Sequence, residues 1–68
     1  MVEKILTKII VKRLEKNFSQ NYIASRLKIS QSYYNKIENG KKDITLKKTI
    51  EIATILNIDL TELFKHNN

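Results

Sequence analysis

The sequence predicts an all-α protein of five short helices in a single domain, residues 1–68, and three observations lead to this prediction. Apolar residues recur at the three- and four-residue spacing of helices. Serine, threonine or aspartate stands before each of the later apolar segments, where a helix would begin. Proline is absent and glycine occurs once, which favours helices joined by short connections.

The first helix is predicted over residues 2–16, where apolar and basic side chains occupy separate faces. The apolar face consists of Val2, Ile5, Leu6, Ile9, Ile10 and Leu14. Another face carries Lys4, Lys8, Lys12 and Lys16, of which the first three are expected to point into solvent. Asn17 is expected to end the helix.

The second helix opens at Ser19, whose hydroxyl can accept hydrogen bonds from free amides of the first turn. Phe18 precedes this cap and is expected to pack on Ile23 as a hydrophobic staple. Ile23, Ala24 and Leu27 then form the buried stripe.

The third helix, after a tight turn, begins with the same combination of a serine cap and a hydrophobic staple. Ser30 is its cap, and Ile29 is expected to pack on Tyr34. The helix is predicted to run to about Asn39 and to stop at Gly40, since glycine tolerates the left-handed conformation past a helix end.

The fourth helix is predicted over residues 46–56, after a polar loop. Thr45 is its cap. Its inner face is expected to consist of Leu46, Ile50, Ala53 and Leu56.

The last helix begins at Asp59. Glu62 is expected to complete a capping box with it, while Ile58 packs against Leu63. Its apolar side chains, Leu60, Leu63 and Phe64, precede a polar tail.

Basic residues outnumber acidic ones, 13 Lys and Arg against 7 Asp and Glu, which gives a net charge of +6. Such an excess favours a polyanionic partner. Many small proteins are equally basic without binding nucleic acid, so the charge needs support from a motif.

Other functional classes are not expected. Cysteine is absent and His66 is the lone histidine, so we expect no metal site, no cofactor, no small-molecule ligand and no enzyme. No apolar run approaches the roughly 20 residues that span a bilayer. Charges recur too often at the start for a signal peptide, so we expect a cytoplasmic protein without membrane contact.

The residues that carry a resemblance are Gln20, Ala24, Ile29, Ser30, Tyr33, Ile37, Glu38 and Gly40, followed by Leu46, Ile50, Ile52, Ala53, Leu56 to Ile58, and Leu60 to Phe64. In this combined spacing the chain resembles the Cro/CI-type (XRE-type) helix-turn-helix family of phage repressors, restriction–modification controllers and other bacterial regulators. The resemblance covers about residues 2–64. It implies a lambda-repressor-like fold of five helices, in which helices two and three form the helix-turn-helix, in a prokaryotic or phage protein.

Two positions depart from the family. Lys28 stands in the turn where the family commonly has glycine, so we expect either a strained left-handed residue or another turn geometry. Ile44 stands where the family often has proline. Neither position lies on the expected DNA-reading surface.

The outer face of the third helix carries the candidate base-reading residues, Gln31, Ser32, Asn35 and Lys36. They share this face because spacing from the core turns Tyr34, Ile37 and Glu38 inward. Gln can pair with adenine, and Lys can donate to guanine. The resemblance points most strongly to Gln31, Ser32 and Lys36. The alternative is an ordinary solvated helix face.

Contacts to the DNA backbone are expected beside this helix, from Gln20, Tyr33, Asn39, Lys41 and Lys42. The resemblance also implies that Gln20 braces Gln31. For Tyr33 a phosphate, a thymine methyl group and the domain surface all remain open. The alternative for Lys41 and Lys42 is a solubilising loop.

Two further expectations concern structure. The resemblance implies an ion pair between Arg13 and Glu38 that orients the third helix. A homodimer on an inverted repeat is expected to use Leu60, Leu63 and Phe64, although core packing explains these residues equally well. The alternative function is an antitoxin or coactivator-like module of the same fold, whose main partner is a protein.

Overall fold

The computed structural model describes residues 2–65, with side chains from residue 4 onward. Five α-helices and no strand occur within this part of the chain. The helices are α1 (Val2–Glu15), α2 (Gln20–Leu27), α3 (Gln31–Glu38), α4 (Leu46–Leu56) and α5 (Leu60–Phe64). The predicted all-α fold is confirmed, with α1 and α3 each one residue shorter than predicted. Val2 as an apolar-face residue and His66 lie outside the described side chains.

The predicted N-terminal caps are confirmed. Ser19, Ser30 and Thr45 each accept a hydrogen bond from the amide three residues on, at 2.9–3.1 Å. Asp59 instead accepts from the Thr61 amide, at 2.8 Å. The helices therefore begin where short oxygen-bearing side chains replace the missing backbone acceptors.

Left-handed residues follow the first four helices. Asn17, Lys28, Gly40 and Asn57 have φ values between 56° and 73°. After α2, this conformation lets the Ile29 amide donate to the Ala24 carbonyl at 3.0 Å, which satisfies a carbonyl at the helix end. Of the two geometries open for Lys28, the left-handed one is thus observed.

The core draws on every helix, and its members are Leu6, Ile9, Ile23, Ala24, Leu27, Tyr34, Ile37, Ile52, Ala53, Leu56 and Leu63. Phe18, Ile29, Ile44 and Ile58 pack against it from the connections. Helix α2 packs on both α3 and α4, which fixes the α2–α3 unit to the rest of the domain. No helix in the described part of the chain is both long and apolar enough to cross a bilayer.

The predicted inner face of α4 is wrong at its first two positions. Leu46 is 66% exposed and Ile50 40% exposed, whereas Thr49 is buried. Thr49 can face inward because its hydroxyl donates to the Thr45 carbonyl at 2.9 Å. The buried stripe is therefore rotated toward Thr49, Ile52, Ala53 and Leu56.

Two predictions for α1 are also wrong. Leu14 is 58% exposed, because Arg13 takes the inward position at the end of the helix. Lys8 does not simply point into solvent. Its ammonium group donates to the carbonyls of Glu62, Leu63 and Lys65, at 2.9, 3.4 and 3.0 Å.

Candidate nucleic-acid interface

The surface built by α3 begins with its buried side. Tyr34, Ile37 and Glu38 are buried, as predicted. Gln31, Ser32, Asn35 and Lys36 are all exposed on the other side, which we call the polar edge. The polar edge therefore projects from a helix whose opposite side is held in the core.

The predicted ion pair between Arg13 and Glu38 is present. Arg13 Nε donates to Glu38 Oε2 at 2.7 Å, and Arg13 Nη2 donates to Oε1 at 3.1 Å. The remaining guanidinium nitrogen, Nη1, donates to the Phe18 carbonyl at 2.9 Å. One guanidinium group thus connects the end of α1, the start of α2 and the end of α3.

Glu38 remains ionised in this setting. Burial works to raise its pKa, but hydrogen bonds from Arg13 and Gln20, the nearby Tyr34 hydroxyl and the Arg13 charge lower the pKa below its ordinary value. The hydrogen bond to Glu38 raises the pKa of Arg13 in turn, against desolvation. Both groups are therefore charged at neutral pH.

Tyr34 lies beside this pair with its ring fully buried. Its hydroxyl lies near Glu38 and Arg13 and interacts electrostatically with both charges. It forms a hydrogen bond with neither residue. Burial raises the Tyr34 pKa, and the Glu38 carboxylate raises it further. The phenol is therefore neutral and acts as a core residue.

Gln20 is placed differently from the expectation. Its Nε2 donates to Glu38 Oε1 at 3.0 Å, and its Oε1 accepts from Asn35 Nδ2 at 3.2 Å. It braces Glu38 and Asn35, and not Gln31, because its amide lies between the Glu38 carboxylate and the Asn35 side chain. The spacing of 15 residues between Gln20 and Asn35 offers no sequence signal for this contact.

The end of α3 leads into a basic loop. The amides of Lys41 and Lys42 both donate to the Lys36 carbonyl, at 2.8 and 3.3 Å. Both lysine side chains are exposed, as are Asn39 and Tyr33. Among the predicted backbone contacts, Tyr33, Lys41 and Lys42 are therefore available at the surface, whereas the side chains of Asn39 and Gln20 also donate hydrogen bonds within the protein.

The predicted dimer residues separate into two groups. Leu60 and Phe64 are each 39% exposed, on the same face of α5. Leu63 is 1% exposed and belongs to the core. The prediction of Leu63 as a dimer contact is therefore wrong, since it faces α1 and α4.

No cluster of three or more His, Cys, Asp or Glu side chains with metal-binding geometry occurs among the described residues.

Comparison with known proteins decides the family. The helix-turn-helix family model matches residues 9–63, which include the ion pair, α2 and α3. The chain belongs to the helix-turn-helix family. The resemblance inferred from the sequence is thus confirmed, and this family member is a DNA-binding regulator of transcription.

Two relatives of this family member span most of its length. The control protein C.MunI from a Mycoplasma species is 37% identical over 57 residues, covering 79% of this chain and 77% of the relative. The uncharacterised HTH-type transcriptional regulator YqaF from Bacillus subtilis is 35% identical over 63 residues, covering 82% and 83%. No solved structure gives a significant match.

Proposed function

We propose that this regulator reads the major groove of double-stranded DNA with α3 and binds an inverted-repeat operator as a homodimer. The polar edge carries the proposal. Its side chains are exposed on a helix whose other side is buried and held by the Arg13–Glu38 pair. Direct readout requires such polar side chains on a rigidly oriented helix.

The chemistry of the polar edge suits base recognition. Gln31 can make paired hydrogen bonds to adenine N6 and N7, and Lys36 can donate to guanine O6 and N7. Ser32, next to Gln31 in the first turn, can serve either a base or a phosphate. We assign sequence preference to these three residues.

Backbone contacts frame the polar edge on both sides. Asn39, Lys41 and Lys42 follow α3 and are exposed, so their donors can meet phosphates. On the other side, the free amides at the start of α2, near Gln20, suit an anion. Tyr33, in the first turn of α3, is 37% exposed. These contacts would set the register of the protein on DNA without reading sequence.

Dimerisation would use α5. Leu60 and Phe64 present two large apolar side chains on one face, with Leu63 behind them in the core. One recognition helix covers only a few base pairs, whereas two related by a twofold axis reach half-sites about 34 Å apart.

Selection of bound sites from random duplexes tests the proposal. We expect an inverted-repeat consensus, and an affinity that falls roughly 1000-fold between 50 and 200 mM salt if about six phosphates are contacted. Recovery without any consensus would refute specific readout and leave the protein-interaction module as the better function.

Lysine variants separate the two kinds of contact. Lys36→Ala should relax preference at particular base pairs, because it removes a base-edge donor. Lys42→Ala should weaken all sequences alike and reduce the salt slope by about one. Lys4→Ala is the matched control, since it removes the same charge from α1, away from the polar edge. An equal effect of all three variants would indicate nonspecific attraction only.

The dimer contact has its own test. Phe64→Glu should shift the protein from dimer to monomer in sedimentation equilibrium, and should weaken binding to the inverted repeat more than to a half-site. Leu14→Glu introduces the same charge at an exposed leucine of α1 and should leave the dimer intact. A Phe64→Glu protein that still sediments as a dimer would refute the α5 contact.

A further inference from the structure

Three side-chain amides form a hydrogen-bonded chain from the start of α2 to the end of α3. Asn39 Nδ2 donates to Asn35 Oδ1 at 3.1 Å, and Asn35 Nδ2 donates to Gln20 Oε1 at 3.2 Å. Gln20 Nε2 then donates to the Glu38 carboxylate at 3.0 Å. We call Gln20, Asn35 and Asn39 the amide chain.

The charge of Glu38 determines how each amide is turned. An ionised carboxylate only accepts hydrogen bonds, so Gln20 must direct its NH2 group toward Glu38 and its oxygen toward Asn35. Asn35 must then direct its own NH2 group toward Gln20 and its oxygen toward Asn39. If Asn35 turned by 180°, its oxygen would face the Gln20 oxygen and its NH2 group would face that of Asn39, so both hydrogen bonds would be lost.

We propose that Asn35 is a positioning residue that links α3 to the start of α2, and that it does not read a base. The proposal rests on the proposed function, because it assigns different roles in DNA binding to different residues of the polar edge. Asn35 has its carbonyl and one N–H engaged within the protein, whereas among the described residues no hydrogen bond holds the side chains of Gln31, Ser32 or Lys36. The role predicted for Asn35 from its outward spacing is revised accordingly.

The position of the amide chain explains what the link achieves. Gln20 lies at the start of α2, beside one proposed phosphate contact, and Asn39 lies at the end of α3, beside the other. The base-reading side chains project from the helix between them. By holding both ends to Glu38, the amide chain sets the orientation of Gln31 and Lys36 relative to the DNA backbone.

A double-mutant cycle tests this role. Asn35→Ala and Gln20→Ala should each weaken binding roughly fivefold on all sequences alike, the equivalent of about one hydrogen bond. The double variant should bind DNA as tightly as whichever single variant binds less tightly, because both substitutions break the same chain of hydrogen bonds. The base preferences of all three should match those of the wild type. Ser25→Ala, on α2 with a side chain outside the amide chain, is the control.

Two results would overturn the proposal. One is loss of preference at a base pair in Asn35→Ala that Gln20→Ala retains, which would make Asn35 a reader. The other is multiplication of the two single effects in the double variant. Each affinity is measured where circular dichroism shows the variant fully folded, so that a change in stability alone does not alter the result.

A measurement without DNA separates this proposal from the proposed function. In NMR spectra of the free protein, Gln20→Ala should shift the side-chain amide signals of Asn35 and Asn39, whereas Ser25→Ala should not. Unchanged signals would refute the amide chain even if site selection succeeds. Conversely, if the wild type selects no consensus, the proposed function fails while the shifts still report on the chain.

Discussion

At the scale of single residues, Glu38 is where polar contacts from α1 and α2 meet α3. It accepts hydrogen bonds from Arg13 on α1 and from Gln20 on α2 while lying on α3 itself. A buried ion pair need not add net stability, because both charges lose water. Removal of only one partner, however, lowers the free energy of unfolding strongly, because the other charge stays buried without a counter-charge.

Glu38→Ala should therefore lower the free energy of unfolding by about 3 kcal/mol, because it leaves the Arg13 guanidinium buried with only the Phe18 carbonyl. Intrinsic affinity for DNA should change less, as Glu38 does not reach the polar edge. Urea unfolding and DNA binding of the folded fraction are the measurements. Equal unfolding curves for variant and wild type would contradict the structural role of the pair.

The pH dependence of stability follows from the same residue. Because folding lowers the pKa of Glu38 below 4.5, its stabilising contribution is present above that pH and is lost as the pH falls through the folded-state value. We expect the difference in unfolding free energy between wild type and Glu38→Gln to shrink as the pH is lowered from about 5 to about 3. A constant difference over this range would contradict the lowered pKa.

At the scale of elements, the helices are delimited by local interactions at their ends. A side-chain oxygen caps α2, α3, α4 and α5 at their starts, and a left-handed residue follows α1 through α4. Asparagine and glycine adopt this conformation at low cost, whereas lysine does so with strain. Lys28 in the turn between α2 and α3 is therefore the least favourable of the four.

Lys28→Gly should accordingly raise the free energy of unfolding by about 0.5–1 kcal/mol, because glycine has no Cβ to oppose a φ of 61°. The greater freedom of glycine in the unfolded chain keeps the gain small. Thermal and urea unfolding measure it. Ser25→Gly, in the interior of α2, is the control and should destabilise by a similar amount. A loss of stability in Lys28→Gly would show that the lysine stem contributes more than the strain costs.

At the scale of the whole molecule, Lys8 joins the first helix to the end of the last one. Its ammonium group meets three carbonyls at the end of α5, where the helix dipole also favours a cation. The exposed face of α5 next to the buried Leu63 carries Leu60 and Phe64. Lys8 therefore supports the helix that we assign to the dimer contact.

Lys8→Met keeps the apolar stem and removes the charge, so it should lower the free energy of unfolding by about 0.5–1 kcal/mol. Amide hydrogen exchange should rise first in α5. Lys4→Met, at an exposed lysine of the same helix, should change neither quantity. Unaltered exchange in α5 after Lys8→Met would mean that core packing of Leu63 alone holds the helix.

Local signals accounted for most of the fold. The caps at Ser19, Ser30, Thr45 and Asp59 were predictable because they act within one turn of their own helix. The inner face of α4 was predicted wrongly because polarity assigned Thr49 to the outside and Ile50 to the inside, whereas Thr49 is buried and Ile50 exposed. Burial of Thr49 depends on a hydroxyl bonded within its own helix, which composition does not reveal.

The sequence by itself determined the five helices, their ends, the helix-turn-helix and the polar edge of α3, since these follow from periodicity, capping and family spacing. Only the tertiary structure decided which polar residues contact one another. Asn35 and Gln20 meet across 15 residues, and Lys8 and α5 across more than 50. Such contacts depend on how the helices pack, and they separate the side chains that we propose to meet DNA from those that hold α3 in place.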